Sequence, residues 1–192
     1  MHERMFRAEQ AHRLEDPARH VWLPPGEVMH AMDVAPGQTI ADVGAGTGFF
    51  SLPLARRVGL HGLVYAVDVQ IEMLAWIREK IEGEGQSNIQ LVRAEASATL
   101  LPDESCDLVF LANLWHELDD RQAVLREARR VLKPESRIAI LDWRPDVERE
   151  VGPPLDHRLT PESCVDEMRQ AELAVTVIKN LGKHHWLVQG TL

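Results

Sequence analysis

Short apolar, β-branched runs alternate with helically spaced segments along most of this chain. The runs fall at residues 39–43, 63–67, 89–92, 108–111 and 138–141, and the spacing predicts helices over 49–58, 71–82 and 121–132. Continuous apolar runs between helices are expected of a parallel sheet covered on both faces. In the second helical segment Ile71, Leu74, Ile77, Lys80 and Ile81 follow three-four spacing, with Arg78, Glu79 and Glu82 opposite. Gly83-Glu84-Gly85 then stops it. In the third, Ala123, Val124, Ala128, Val131 and Leu132 form the stripe; Asp119-Asp120 supplies the cap and Pro134 blocks continuation.

The ends of the chain differ from this middle. The first thirty-odd residues are polar and helical in flavour, broken at Pro17 and Pro24-Pro25, with a short helix over 27–32 before the turn Ala35-Pro36-Gly37. Residues 144–159 are rich in proline and charge and read as a long loop. Thr160-Pro161-Glu162-Ser163 has the form of a helix start, with Thr160 as cap and Pro161 in the first turn. Two last strands are expected at 175–179 and 184–188, with Gly182 in a hairpin between them. No repeat or low-complexity tract interrupts 192 residues, so one domain is expected.

Charge and cysteine content narrow the function classes. A net charge of −9 argues against a nucleic-acid substrate, because displacing counterions from phosphates needs a basic stripe. Two cysteines, Cys106 and Cys164, make no disulfide framework and have no metal spacing, so no metal site and a cytoplasmic location are expected. No apolar run reaches the roughly 18–20 residues of a membrane span, and Met1-His2-Glu3-Arg4-Met5 lacks a signal-peptide core.

The most informative stretch is Asp42-Val43-Gly44-Ala45-Gly46-Thr47-Gly48-Phe49, which ends the first apolar run, with Asp68 ending the next. Glycines allow a sharp turn off a strand and a close ligand approach. Phe49 stands where the dinucleotide fingerprint G-x-G-x-x-G needs its third glycine, which suggests a nucleoside ligand without a diphosphate. Val43 to Gly48 resembles the first motif of class I S-adenosylmethionine (SAM)-dependent methyltransferases. Tyr65-Ala66-Val67-Asp68 and Arg93-Ala94-Glu95-Ala96 resemble the acidic motifs that follow it. Leu114-Trp115-His116-Glu117-Leu118 is similar to the family's segment after strand four, and Arg130-Val131-Leu132-Lys133-Pro134 to the lead-in to strand five. Five motifs in order are more specific than one glycine turn. The group resembled includes ubiquinone/menaquinone-biosynthesis and arsenite methyltransferases, although two cysteines are few for holding trivalent arsenic.

The resemblance implies a three-layer, Rossmann-like α/β fold whose seven-stranded, mostly parallel sheet has an antiparallel last strand. It implies a helical cap (1–36), a cofactor-binding core (37–143) and an acceptor-side loop with a C-terminal hairpin (144–192). It implies SAM as cofactor and S-adenosylhomocysteine as product. Asp42, Gly44, Gly46 and Gly48 would take the amino acid end, Asp68 the ribose diol, and Glu95 and Ala96 the adenine edge. Val69 and Met73 would sandwich the ring, and Leu111 would join the pocket. Aspartate is commoner in relatives where Glu95 stands. His116 is the catalytic candidate: it could take a proton near neutrality, or simply hydrogen-bond to backbone at a helix start. Asp142 could orient an acceptor or bind a loop amide; the loop 152–158 with His157 could fold over the site as a lid, although Asp156 to Arg158 read rather as a solvated charge cluster. Alternation in a strand would send His184 and His185 to opposite faces. The function implied is methyl transfer to a small molecule. The alternatives are a SAM-binding protein without turnover and an NAD-dependent oxidoreductase, against which Phe49 argues.

Overall fold

The computed structural model describes residues 6–148 and 151–192; residues 1–5, read above for a signal peptide, lie outside the described residues. Seven strands, β1 (Thr39–Val43), β2 (Leu63–Asp68), β3 (Ile89–Arg93), β4 (Cys106–Ala112), β5 (Leu132–Trp143), β6 (Ala174–Leu181) and β7 (His185–Thr191), form one sheet in the order β3-β2-β1-β4-β5-β7-β6. β1 to β5 pair in parallel, and β7 is antiparallel to both β5 and β6. This is the mostly parallel sheet with an antiparallel last strand that the resemblance implies. Strand order reverses between β1 and β4, which leaves a crevice at their carboxyl ends.

Alternation along β4 shows how the layers form. Val109 and Leu111 point into one core with Trp115, Val124 and Val131, whereas Leu108 and Phe110 point into another with Ile40, Leu54 and Leu187. The first core is closed by α5 (Arg121–Val131) and α6 (Pro161–Gln170) and the second by α2 (Pro25–Ala31) and α3 (Ser51–Val58). The remaining helices are α1 (Arg19–Trp22) and α4 (Ile71–Glu84). Sequence caps hold where they were expected: Asp120 accepts from the Ala123 amide at 2.8 Å and Thr160 from the Ser163 amide at 3.2 Å.

Several boundaries differ for physical reasons. Helix α3 starts at Ser51, not 49, because the turn before it is still reversing at Gly48, with φ +84. An added Cβ at Gly48 would meet Leu52 at 2.9 Å and Ile77 at 3.0 Å, so this glycine serves helix packing. Helix α4 runs through Gly83 and ends on left-handed Gly85. Strand β5 begins at Leu132, straight out of α5, and its pairing with β4 jumps from Leu132 to Arg137 across Pro134 and left-handed Glu135.

Arg158 is not a solvated charge: it is buried, donates to the carbonyls of Pro153, Arg144, Val147 and Val151, and lies over the Trp143 ring. His184 precedes β7, so strand alternation does not apply there, and both His184 and His185 pack on the Trp22 ring.

Leu111 is fully buried in the core beside α5. Leu111→Ala should therefore cost about 2–5 kcal/mol of stability, visible as a lower urea midpoint with an unchanged slope.

Candidate functional site

A cavity of about 1130 Å³ opens at the carboxyl ends of the parallel strands. Its wall includes Asp42, Gly44, Gly46, Asp68, Val69, Met73, Glu95, Ala96 and His116, brought together from four separate parts of the chain. Two residues of the expected set are elsewhere. Leu111 is sealed in the core, and Gly48 borders a smaller, separate depression.

The glycine turn follows from the backbone. Gly44 has φ +74, and an added Cβ would come within 2.7 Å of the Leu114 side chain. Side chains are thus excluded where β1 meets the segment after β4. Asp68, at the end of β2, accepts the Gly46 amide at 2.8 Å and the Gln70 amide at 2.9 Å, which ties the turn to the next strand. Burial pushes the Asp68 carboxyl above its ordinary range, and those amide donors pull it back. Asp42 accepts a hydrogen bond from the Ser51 hydroxyl at 2.5 Å. Burial raises its carboxyl to about 7, opposed by Ser51 and assisted by the negative charge of Asp68. Two buried atoms of residues lining this wall, Thr47 Oγ1 and Asn113 Oδ1, have no hydrogen-bond partner among the described residues. Buried polar atoms left unpaired are costly, and those on a cavity wall suit a polar ligand.

Across the crevice, a one-turn 3₁₀ helix (Trp115–Glu117) follows β4. The His116 amide donates to Asp142 Oδ2 at 2.9 Å, and its Nδ1 lies 2.8 Å from Asp142 Oδ1. A carboxylate only accepts, so in the neutral ring Nδ1 carries the proton and Nε2 the lone pair. Burial opposes the imidazolium, but Asp142 and then Glu117 outweigh it, so the His116 pKa is raised. Asp142 also accepts the Trp143 amide at 2.7 Å, so of the two roles expected for it the structure shows the amide bond, and the side chain it holds is His116. Trp115 is core, donating from Nε1 to Glu167.

Sequence reasoning passed over Glu117. Burial raises its carboxyl to about 7, opposed by the Phe6 amide it accepts and by His116. Its position next to His116 was the available signal. Gln70 was also missed: its side chain accepts from the Ala8 amide and donates to the Phe6 carbonyl, clasping the N-terminal segment over the site. Lys80, read as part of an apolar stripe, bonds Glu15 and the Thr47 carbonyl, each at 2.8 Å. The far wall is aromatic: Trp22 and Trp143 pack at 5.4 Å, with Phe49, Pro153, Pro154 and His157 nearby on the cavity. Among the described residues no group of three or more His, Cys, Asp or Glu is placed to hold a metal ion, and no helix is long and apolar enough to cross a membrane.

A family model described as a methyltransferase domain matches residues 41–140. A SAM-dependent methyltransferase from Aquifex aeolicus superposes with a TM-score of 0.92 at 33% identity, covering 97% of this chain and 98% of that one. The chain belongs to the SAM-dependent methyltransferases. A ubiquinone/menaquinone biosynthesis C-methyltransferase from Enterobacter is 34% identical over 114 residues, 58% of this chain and 45% of that protein. A demethylmenaquinone methyltransferase from Listeria welshimeri is 34% identical over 116 residues, 60% and 49% respectively. The chain thus spans about half the length of these two relatives. The cofactor of this methyltransferase is SAM. The residues present suit it: acidic acceptors at two strand ends, a glycine turn open to the cavity and unpaired polar atoms in the wall.

The raised carboxyls have a stability consequence in the ligand-free methyltransferase. With Asp42 and Glu117 near 7, the native chain holds protons that an unfolded chain has released above about 4. Raised His116 acts in the same sense. His185, held down to about 3 by burial, acts oppositely, but only below about 6.5, where an unfolded histidine titrates. Native proton excess means that stability falls as pH rises. Urea midpoints should therefore drop between about pH 6.5 and 8, and less so in Asp42→Asn. A midpoint that rises over this window would contradict the assignment.

Proposed function

We propose that this chain transfers the methyl group of SAM to a hydroxyl-bearing small molecule, with His116 as the base. The observation that carries the proposal is the His116 ring on the cavity wall, its Nδ1 held by Asp142 so that Nε2, 3.8 Å from Glu117 Oε1, is the nitrogen without a hydrogen bond. A base of this kind is needed only where the acceptor must lose a proton to become nucleophilic. When bound, SAM supplies a methyl group on a sulfonium whose departure leaves a neutral thioether.

The chain's residues then bind, align and exclude water. Asp68 accepts from the ribose hydroxyls with the lone pairs not used by Gly46 and Gln70. Glu95 and the Ala96 amide take the adenine edge, with Val69 and Met73 against its faces. Asp42 and the backbone at Gly44 and Gly46 meet the amino acid end. His116 accepts the acceptor's proton at Nε2, and Asp142 stabilises the resulting imidazolium. The aromatic wall of Trp22, Phe49 and Trp143 supports a planar acceptor, as do the quinone-biosynthesis names of two relatives. The cap, the core and the acceptor-side loop act in this reading as one domain. Free, buried Cys106 and Cys164 support a reducing, cytoplasmic setting.

Calorimetric titration with SAM, S-adenosylhomocysteine and NAD tests the cofactor half; micromolar binding of the first two and none of NAD is expected. Asp68→Ala should weaken S-adenosylhomocysteine binding by about 1.5–3 kcal/mol, the scale of hydrogen bonds to a charged group. For the acceptor half, S-adenosylhomocysteine release is followed across a panel of hydroxylated aromatic compounds. With any compound that turns over, His116→Ala should lower the rate by roughly 10²–10⁴ and leave cofactor affinity intact. An undiminished rate would remove the base, and binding of NAD alone would overturn the whole reading.

A further inference from the structure

The N-terminal cap sets a guanidinium beside the glycine turn that makes no ion pair among the described residues. Arg19, the first residue of α1, lies on the cavity wall. Its Nη1 donates to the Leu14 carbonyl at 2.8 Å, and its guanidinium carbon stands 4.0 Å from the Phe49 ring centroid. Leu14 in turn covers the turn: a Cβ added at Gly46 would lie 3.5 Å from it. Arg19 therefore sits at the Gly46–Phe49 corner of the cavity.

The carboxylates nearest to it among the described residues are already engaged. Glu15, whose charge Arg19 feels, is paired with Lys80 at 2.7 Å. Asp16 caps the Ala18 amide and makes no ion pair with Arg19. Burial pulls the Arg19 pKa down to about 10, the mark of a cation short of compensation. In the same corner the Thr47 hydroxyl is buried and unpartnered. The rest of this end carries carboxylates, Asp42 and Asp68. A ligand that suits both features has a cationic group facing the acids and an anionic group facing Arg19, the charge pattern of an α-amino acid.

We propose that Arg19 binds the α-carboxylate of the cofactor's amino acid end at this corner of the cavity. The planar, always-charged fork of arginine matches a carboxylate in two-point geometry. This assignment rests on the reading that SAM occupies the cavity. It gives the cap a direct part in cofactor recognition, because Arg19 and Leu14 both belong to the segment ahead of the sheet.

The test is calorimetry on the full chain with two ligands, S-adenosylhomocysteine and its decarboxylated analogue S-adenosyl-3-thiopropylamine, which keeps the amine and lacks only the carboxylate. Wild type should prefer the first by roughly ten- to a hundredfold, in keeping with charge-assisted hydrogen bonds. Arg19→Met, which keeps an apolar stem over Phe49, should lose that preference by weakening only S-adenosylhomocysteine. Arg19→Lys should retain part of it, and serves as the readout if the methionine variant does not fold. An undiminished preference in either variant overturns the assignment, as does equal weakening of both ligands, which would mark Arg19 as a cap anchor. Failure of wild type to bind either ligand would overturn the SAM reading itself and this inference with it.

Discussion

A carboxylate buried at the end of a parallel strand must be answered by donors from whatever the chain does next, and that requirement organises this structure. Asp42, Asp68 and Asp142 lie at the carboxyl ends of β1, β2 and β5, and all three are buried. Each recruits a different segment: Asp42 the start of α3 through Ser51, Asp68 the glycine turn and the start of α4, and Asp142 the 3₁₀ turn that carries His116. The turns around the crevice are thereby held to the sheet by charge-assisted bonds as well as by packing. Removing one of these donors would strand a buried charge, so geometry at the rim is as constrained as in the core.

The same arrangement concentrates negative charge around a crevice. Asp42 feels Asp68, and Glu117 feels both Asp142 and Asp68. Protons or cations must balance such a set, and a positively charged ligand relieves the repulsion. Recognition of a sulfonium compound is in this sense prepared before it arrives. Arg19 and the clasp of Gln70 on Phe6 and Ala8 border the same crevice with groups of the other polarity or none.

How much of this was legible in the chain follows from how local each feature is. The turn at Gly44–Gly48, the acidic end of β2 and the caps of α5 and α6 are written in neighbouring residues, and the structure has them where the pattern put them. Pairing of His116 with Asp142 joins residues 26 positions apart on two adjoining strands' extensions, so neither residue's surroundings announce the other. Arg158 looked like surface charge because its four carbonyl partners lie on a loop with no regular spacing. Lys80 counted as part of an apolar face because periodicity registers the stem of a long side chain and not where its ammonium goes. Leu111, placed in the pocket by resemblance, obeys strand alternation instead and turns into the core.

Apart from Phe49, the aromatic wall is supplied from outside the stretch that the family model matches. Residues 41–140 contain the glycine turn, Asp68, Glu95 and His116, whereas Trp22, Trp143, Gly152 and His157 all lie beyond it. Gly152 rests so closely on Trp143 that a Cβ would come within 2.7 Å of the ring, so that loop and the tryptophan must change together or not at all. The wall facing the glycine turn can thus be reshaped by substitutions at Trp22, Trp143 or Gly152 that leave every residue of 41–140 in place.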